Sequence, residues 1–131
     1  RLGSIDRTGR IVIFAGFSLE KSGMPLIVIA FLIAFLVRAS VGSSIVAMTM
    51  ASGIMASMPA MADSSTLYRA AMCCAICGGA TALSHVNDAG FWLVSTFLEI
   101  DEKTTLKSWT IMETLIGITG LILGLVISIF A

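Results

Sequence analysis

The residues of this chain able to do chemistry gather in two short polar clusters set within apolar sequence. The first is Arg38-Ala39-Ser40-Val41-Gly42-Ser43-Ser44 and the second is Ser84-His85-Val86-Asn87-Asp88-Ala89-Gly90. An arginine inside a bilayer costs at least about 2.5 kcal/mol on insertion scales and usually faces a cavity or a partner. Its planar fork suits two-pronged binding of a carboxylate; the competing reading is a side chain that snorkels to an interface. Gly42, Ser43 and Ser44 could open a second half-helix, whose amides and dipole attract anions, and discontinuous helices of this kind hold substrates in many secondary transporters. In the second cluster a histidine, a type that titrates near neutrality, stands close to an acid and an amide. That grouping suits a proton relay in which Asp88 or His85 exchanges the proton while Ser84 and Asn87 bind hydroxyls. The competing reading is a turn in which Asn87 or Asp88 caps a helix starting at Ala89.

Other polar residues carry less. Thr110-Ile111-Met112-Glu113 has the spacing of a capping box, which makes Glu113 a helix-capping acid ahead of a proton carrier. Cys74-Ala75-Ile76-Cys77, next to Cys73, has a paired-cysteine spacing, but a metal site needs further ligands in a closed geometry, so these residues are expected to pack. The methionine-rich stretch Met48 to Met61 reads as a flexible apolar face. No catalytic set, metal site or cofactor is expected.

The elements that position these clusters are hydrophobic. Apolar residues make up 57% of the 131 residues, only 12% are charged, and the mean hydropathy is +1.01, against about 25% charged in an average soluble domain. This composition gives an all-α integral membrane protein with broken or re-entrant segments in contact with lipid. With Lys+Arg and Asp+Glu equal at 8 each, no basic surface recommends nucleic acid as a partner. Three apolar regions are candidates for spanning. Met24 to Ala62 carries Arg38 as its one formal charge. A continuous helix from Pro25 to Met58 would run about 50 Å through a core of about 30 Å, so it must break. The expected halves are Leu26 to Val37 and Ile45 to Met58.

Ala70 to Leu83 aligns small residues on two faces, Ala71/Ala75/Gly79 and Cys74/Gly78/Ala82, which suits close helix packing in lipid. Phe91 to Leu98 is amphipathic, with Trp92 as an interfacial anchor. Glu99 to Lys107 reads as a charged loop. Ile111 to Ala131 spans once and carries a Gly120/Gly124/Ser128 stripe. Residues 1 to 10 read as a solvated loop, Ile11 to Leu19 as a short helix fragment, and Glu20 to Gly23 as a turn. The whole chain, 1–131, reads as a single transmembrane region and, from its unusual ends, as part of a longer protein. Loop charges leave the topology open.

Three stretches carry a family resemblance: Arg38-Ala-Ser-Val-Gly-Ser-Ser-Ile-Val-Ala-Met48, Leu83-Ser-His-Val-Asn-Asp-Ala-Gly-Phe-Trp-Leu93, and Thr105-Leu-Lys-Ser-Trp-Thr-Ile-Met-Glu-Thr114. From about Pro25 onward the chain resembles the C-terminal part of the gluconate permease family, proton symporters of gluconate and related small hydroxy acids. The resemblance implies a multi-pass inner-membrane transporter of two inverted halves, of which this chain is most of the second. The missing N-terminal half is then a partner, and a homo-oligomer is compatible with it. It implies substrate binding by Arg38, Gly42, Ser43, Ser44, Ser84 and Asn87, and proton coupling by Asp88 and His85, with the proton gradient in place of a cofactor. Family members often carry glutamine where Val41 stands and threonine where Ile45 stands, a change that favours a less hydroxylated acid such as glycerate. Two other classes stay open: a non-catalytic or transport-incompetent membrane segment, and a membrane-embedded enzyme using His85 and Asp88.

Overall fold

The computed structural model describes residues 25–131, so the expectations for residues 1 to 24 lie outside it. Among the described residues every regular element is helical. Helix α1, Leu26–Val41, follows Pro25, whose missing N–H costs nothing ahead of a first turn. It ends at Gly42, which takes the left-handed conformation (φ 74°) and returns its N–H to the Arg38 carbonyl. Helix α2, Ser44–Ala56, starts two residues later with Ser43 as its cap. The break required by length is therefore present, but it is narrower than the sequence suggests. Arg38 to Val41 remain helical and only Gly42 and Ser43 leave the helical path.

Pro59–Met61 forms a single 3₁₀ turn. Helix α3, Thr66–Thr81, is capped by Ser65, whose hydroxyl accepts from the Tyr68 amide at 3.1 Å. Arg69 falls in its opening turns and ties them to the preceding loop through Ser64 Oγ and the Ala62 carbonyl. Helix α4, Ala89–Phe97, is short and capped by Asp88. Helix α5, Glu102–Thr105, runs through a wide π turn at Leu106–Thr110 into helix α6, Ile111–Ile129. Two expectations fail here. The charged stretch before Lys107 is not a loop throughout, because Asp101 opens a helix there. Thr110 is not a cap either: it has helical dihedrals inside a continuous run, so Glu113 has no free helix start to bond.

Among the described residues one helix, Glu102–Ile129 at 28 residues, is long and apolar enough to cross a membrane. Helices α1 and α2, at 16 and 13 residues, rise only about 24 and 20 Å at 1.5 Å per residue. Of the three candidate spans expected, one is a full-length helix among the described residues, and the Met24 to Ala62 region is two shorter apolar helices. Helix α3 lies between α1 and α6 and makes its largest contacts with them. Gly78 and Gly79 explain how. A Cβ on Gly78 would stand 2.5 Å from the Gly117 carbonyl oxygen of α6, and one on Gly79 would stand 2.3 Å from the Phe31 carbonyl oxygen of α1. Neighbouring positions on one helix thereby admit two backbones on different sides, as the small-residue faces in the sequence anticipate. On α6 the stripe is Gly117, Gly120 and Gly124, each against α3. Ile29, Ala30, Ile33, Ala34, Ala71 and Ala75 complete the buried seam.

Candidate functional site

The two helix interruptions meet. Gly42 packs so tightly on the second that a Cβ there would lie 2.1 Å from the Asn87 carbonyl oxygen, and Asn87 Nδ2 donates to the Ala39 carbonyl at 2.9 Å. The polar clusters, more than forty residues apart in sequence, thus form one junction at the end of the α1–α3–α6 seam.

Arg38 and Asp88 lie at its centre. The last turn of α1 carries Arg38 inward, leaving it 3% exposed. Its Nη1 donates to the Gly42 carbonyl at 2.7 Å and its Nη2 pairs with Asp88 Oδ2 at 2.5 Å. The arginine is therefore not snorkelling. Asp88 caps α4 and pairs with the arginine at once: its Oδ1 accepts from the Gly90 amide at 3.0 Å, while Oδ2 receives Arg38 and the Ser84 hydroxyl. Arg38 Nε is buried and has no acceptor among the described residues. A buried donor without a partner costs about 1–3 kcal/mol.

Ser84, 1% exposed, is fixed by Trp109, to which the sequence assigned no role, and by Thr110, which it offered as a helix cap. Trp109 Nε1 donates to Ser84 Oγ at 3.0 Å, and the Thr110 hydroxyl donates to the Ser84 carbonyl. An indole N–H can only donate, so Ser84 must accept from Trp109 and turn its single proton toward Asp88. The hydroxyl expected to bind a substrate instead supports the acid in this arrangement. The π turn at Leu106–Thr110 carries both donors; such turns recur at functional sites. One turn further on, Thr114 Oγ1 accepts from the Leu83 amide at 3.3 Å. The signal in the sequence was Trp109, whose indole N–H had no assigned partner, next to a Thr110 that the capping pattern had claimed.

His85 is half-buried, and its Nδ1 lies 2.9 Å from the Leu83 carbonyl. A carbonyl accepts, so Nδ1 carries the hydrogen in this contact. Leu83 itself takes a left-handed conformation, φ 59°, unusual for a non-glycine residue and found at constrained sites. Ser43 and Ser44 are half-buried at the start of α2, where Ser43 Oγ accepts from the Val46 amide at 3.4 Å. Val41 and Ile45, on either side of the break, are 45% and 75% exposed. The cysteines are free, with Cys73 and Cys77 exposed. No group of metal-ligating side chains occurs among the described residues.

A buried ion pair enclosed by interrupted helices, in a bundle packed through glycine, defines an α-helical membrane protein with a polar interior. The chain belongs to the GntP permease family: the model of the GntP family permease matches residues 12–130. It is 40% identical over 111 residues to the low-affinity gluconate transporter of Escherichia coli strain K12, covering 85% of this chain and 25% of the relative. It is 37% identical over 103 residues to the gluconate permease of Pseudomonas aeruginosa, covering 79% and 22%. With the high-affinity gluconate transporter of Escherichia coli strain K12 the identity is 31% over 119 residues, covering 88% and 27%. The chain spans about a quarter of the length of these curated relatives. No solved structure matches it.

Proposed function

We propose that this segment supplies part of the substrate site of a proton-coupled symporter, which takes up gluconate or a related small hydroxy-carboxylate across the inner membrane. The observation that carries the reading is the buried guanidinium of Arg38, paired with an internal carboxylate and still holding an unfilled Nε donor. Asp88 stands where a substrate carboxylate would bind. When substrate arrives, its carboxylate takes Arg38, with the amides of Ser43 and Ser44 at the start of α2 as further donors and Asn87 as a hydroxyl partner, while the Gly42 amide stays bonded to the Arg38 carbonyl. Asp88, displaced from its cation, becomes the proton acceptor, with His85 of the same connection as a second exchanging group. The names of the relatives support gluconate, and the apolar Val41 and Ile45 on either side of the break support shorter, less hydroxylated acids alongside it. This segment belongs to the second of two inverted halves, and the remaining substrate contacts come from the other half.

The test uses the full-length permease that contains this segment, in membrane vesicles with an imposed pH gradient. Arg38→Ala is expected to lower uptake of gluconate and glycerate by about 30-fold or more, as removal of one side of a buried charge pair does. In Asp88→Asn the ratio of gradient-driven accumulation to substrate counterflow is expected to fall. Wild-type accumulation in both variants would overturn the site.

A further inference from the structure

We propose that Glu113 is a second proton-exchanging carboxyl of this site and acts with Asp88 as one unit; this rests on the symporter reading above. Helix α6 presents Trp109, Thr110, Glu113, Thr114 and Gly117 at spacings of three and four, which share one helical face. Four of these are fixed against the α3–α4 connection or α3: Trp109 and Thr110 on Ser84, Thr114 on Leu83, and Gly117 on Gly78 and Ala82. Glu113 lies between them, so the same face carries its carboxyl toward the junction. It is half-buried, on the face that meets Ser84, whose hydroxyl donates to Asp88. The capping role that the sequence offered is gone, because the helix continues through Thr110.

The ionisable groups on the elements that form the junction are Arg38 from α1, and His85 and Asp88 from the α3–α4 connection. On its own helix the nearest is Lys107, about two turns back, and α3 adds Cys74 and Cys77 while α4 has none. One guanidinium therefore serves two carboxyls, and an arriving substrate brings a third. Charge balance then requires one proton per substrate carboxylate. An O–H bond forms on the Asp88/Glu113 pair with a proton from water on the entry side, and the same bond breaks on the exit side when substrate leaves. When two carboxyls are coupled in this way, the proton belongs to the pair rather than to either residue.

The experiment compares wild type, Glu113→Gln and Glu113→Asp in the full-length permease in vesicles, with labelled gluconate as the probe. Both gradient-driven accumulation and counterflow are read across a pH series. In Glu113→Gln the ratio of accumulation to counterflow is expected to fall about tenfold, the size of an ordinary coupling between sites, and its dependence on pH to flatten. Glu113→Asp should restore much of both. An unchanged ratio and pH profile in Glu113→Gln would overturn the proposal while leaving the symporter reading intact if Asp88→Asn lowers the ratio. Equal loss of accumulation and counterflow, unrescued by aspartate, would also overturn it by assigning Glu113 to packing. Absence of wild-type uptake would overturn the symporter reading and this inference together.

Discussion

The interruption between α1 and α2 is two residues long and is closed by backbone, whereas that between α3 and α4 runs from Ala82 to Asp88 and is closed by side chains. At the first, Gly42 turns left-handed, its amide bonds back into α1, and its missing Cβ makes room for Asn87. At the second, Ser84 and Asp88 collect donors from α1, α4 and the π turn. The contrast shows a division of labour. The short break sets the distance between the two strands of chain, and the long one places the ionisable groups within it.

That division can be broken at its extremes. The largest loss of stability is expected for Gly42→Ala, because a Cβ would meet the Asn87 carbonyl at 2.1 Å in a conformation that disfavours any side chain. Left-handed strain alone costs about 1–2 kcal/mol, and the clash with a backbone atom adds to it; thermal unfolding of the detergent-solubilised permease measures the sum. Ser84→Ala should come next. It removes the donor to Asp88 and strands the Trp109 N–H, a loss of about 1–3 kcal/mol for the unsatisfied group, and Trp109 fluorescence should report the changed environment. Ser43→Ala should matter least, about 0.5 kcal/mol for a weak helix cap, since its bond to Val46 is long at 3.4 Å and exposed. A Ser43 effect larger than that of Ser84 would reverse the comparison.

Much of this was legible in the sequence. The length of the Met24 to Ala62 run demanded a break, and Gly42 with its serines marked the place. The small residues of α3 announced its close packing, although the partition of Gly78 to α6 and Gly79 to α1 needed the tertiary structure. The pairing of Arg38 with Asp88 was harder, because fifty residues separate them and no local period connects an arginine to an acid. The sequence supplied two polar clusters, and only the packed helices show that one carboxylate already answers the guanidinium. The clearest miss came at Thr110 to Glu113. A four-residue cap pattern cannot report that a helix began earlier, at Asp101, in residues whose charge reads as loop. Once α6 is continuous, Thr110 turns to Ser84 and Glu113 has no capping duty left.

The π turn at Leu106–Thr110 has one more effect on the helix that contains it. An α-helix advances about 100° per residue, so the extra residue of a π turn offsets everything before it by about that angle. The charged opening of the helix and its glycine stripe are consequently out of phase with each other. Deleting one residue from the turn would bring them back into a single register and swing Glu102 and Lys103 around the axis, while Gly117, Gly120 and Gly124 stayed seated on α3. The helix is thus divided like a keyed shaft, in which the glycine end fixes position and the wide turn fixes the angle at which the polar end is held.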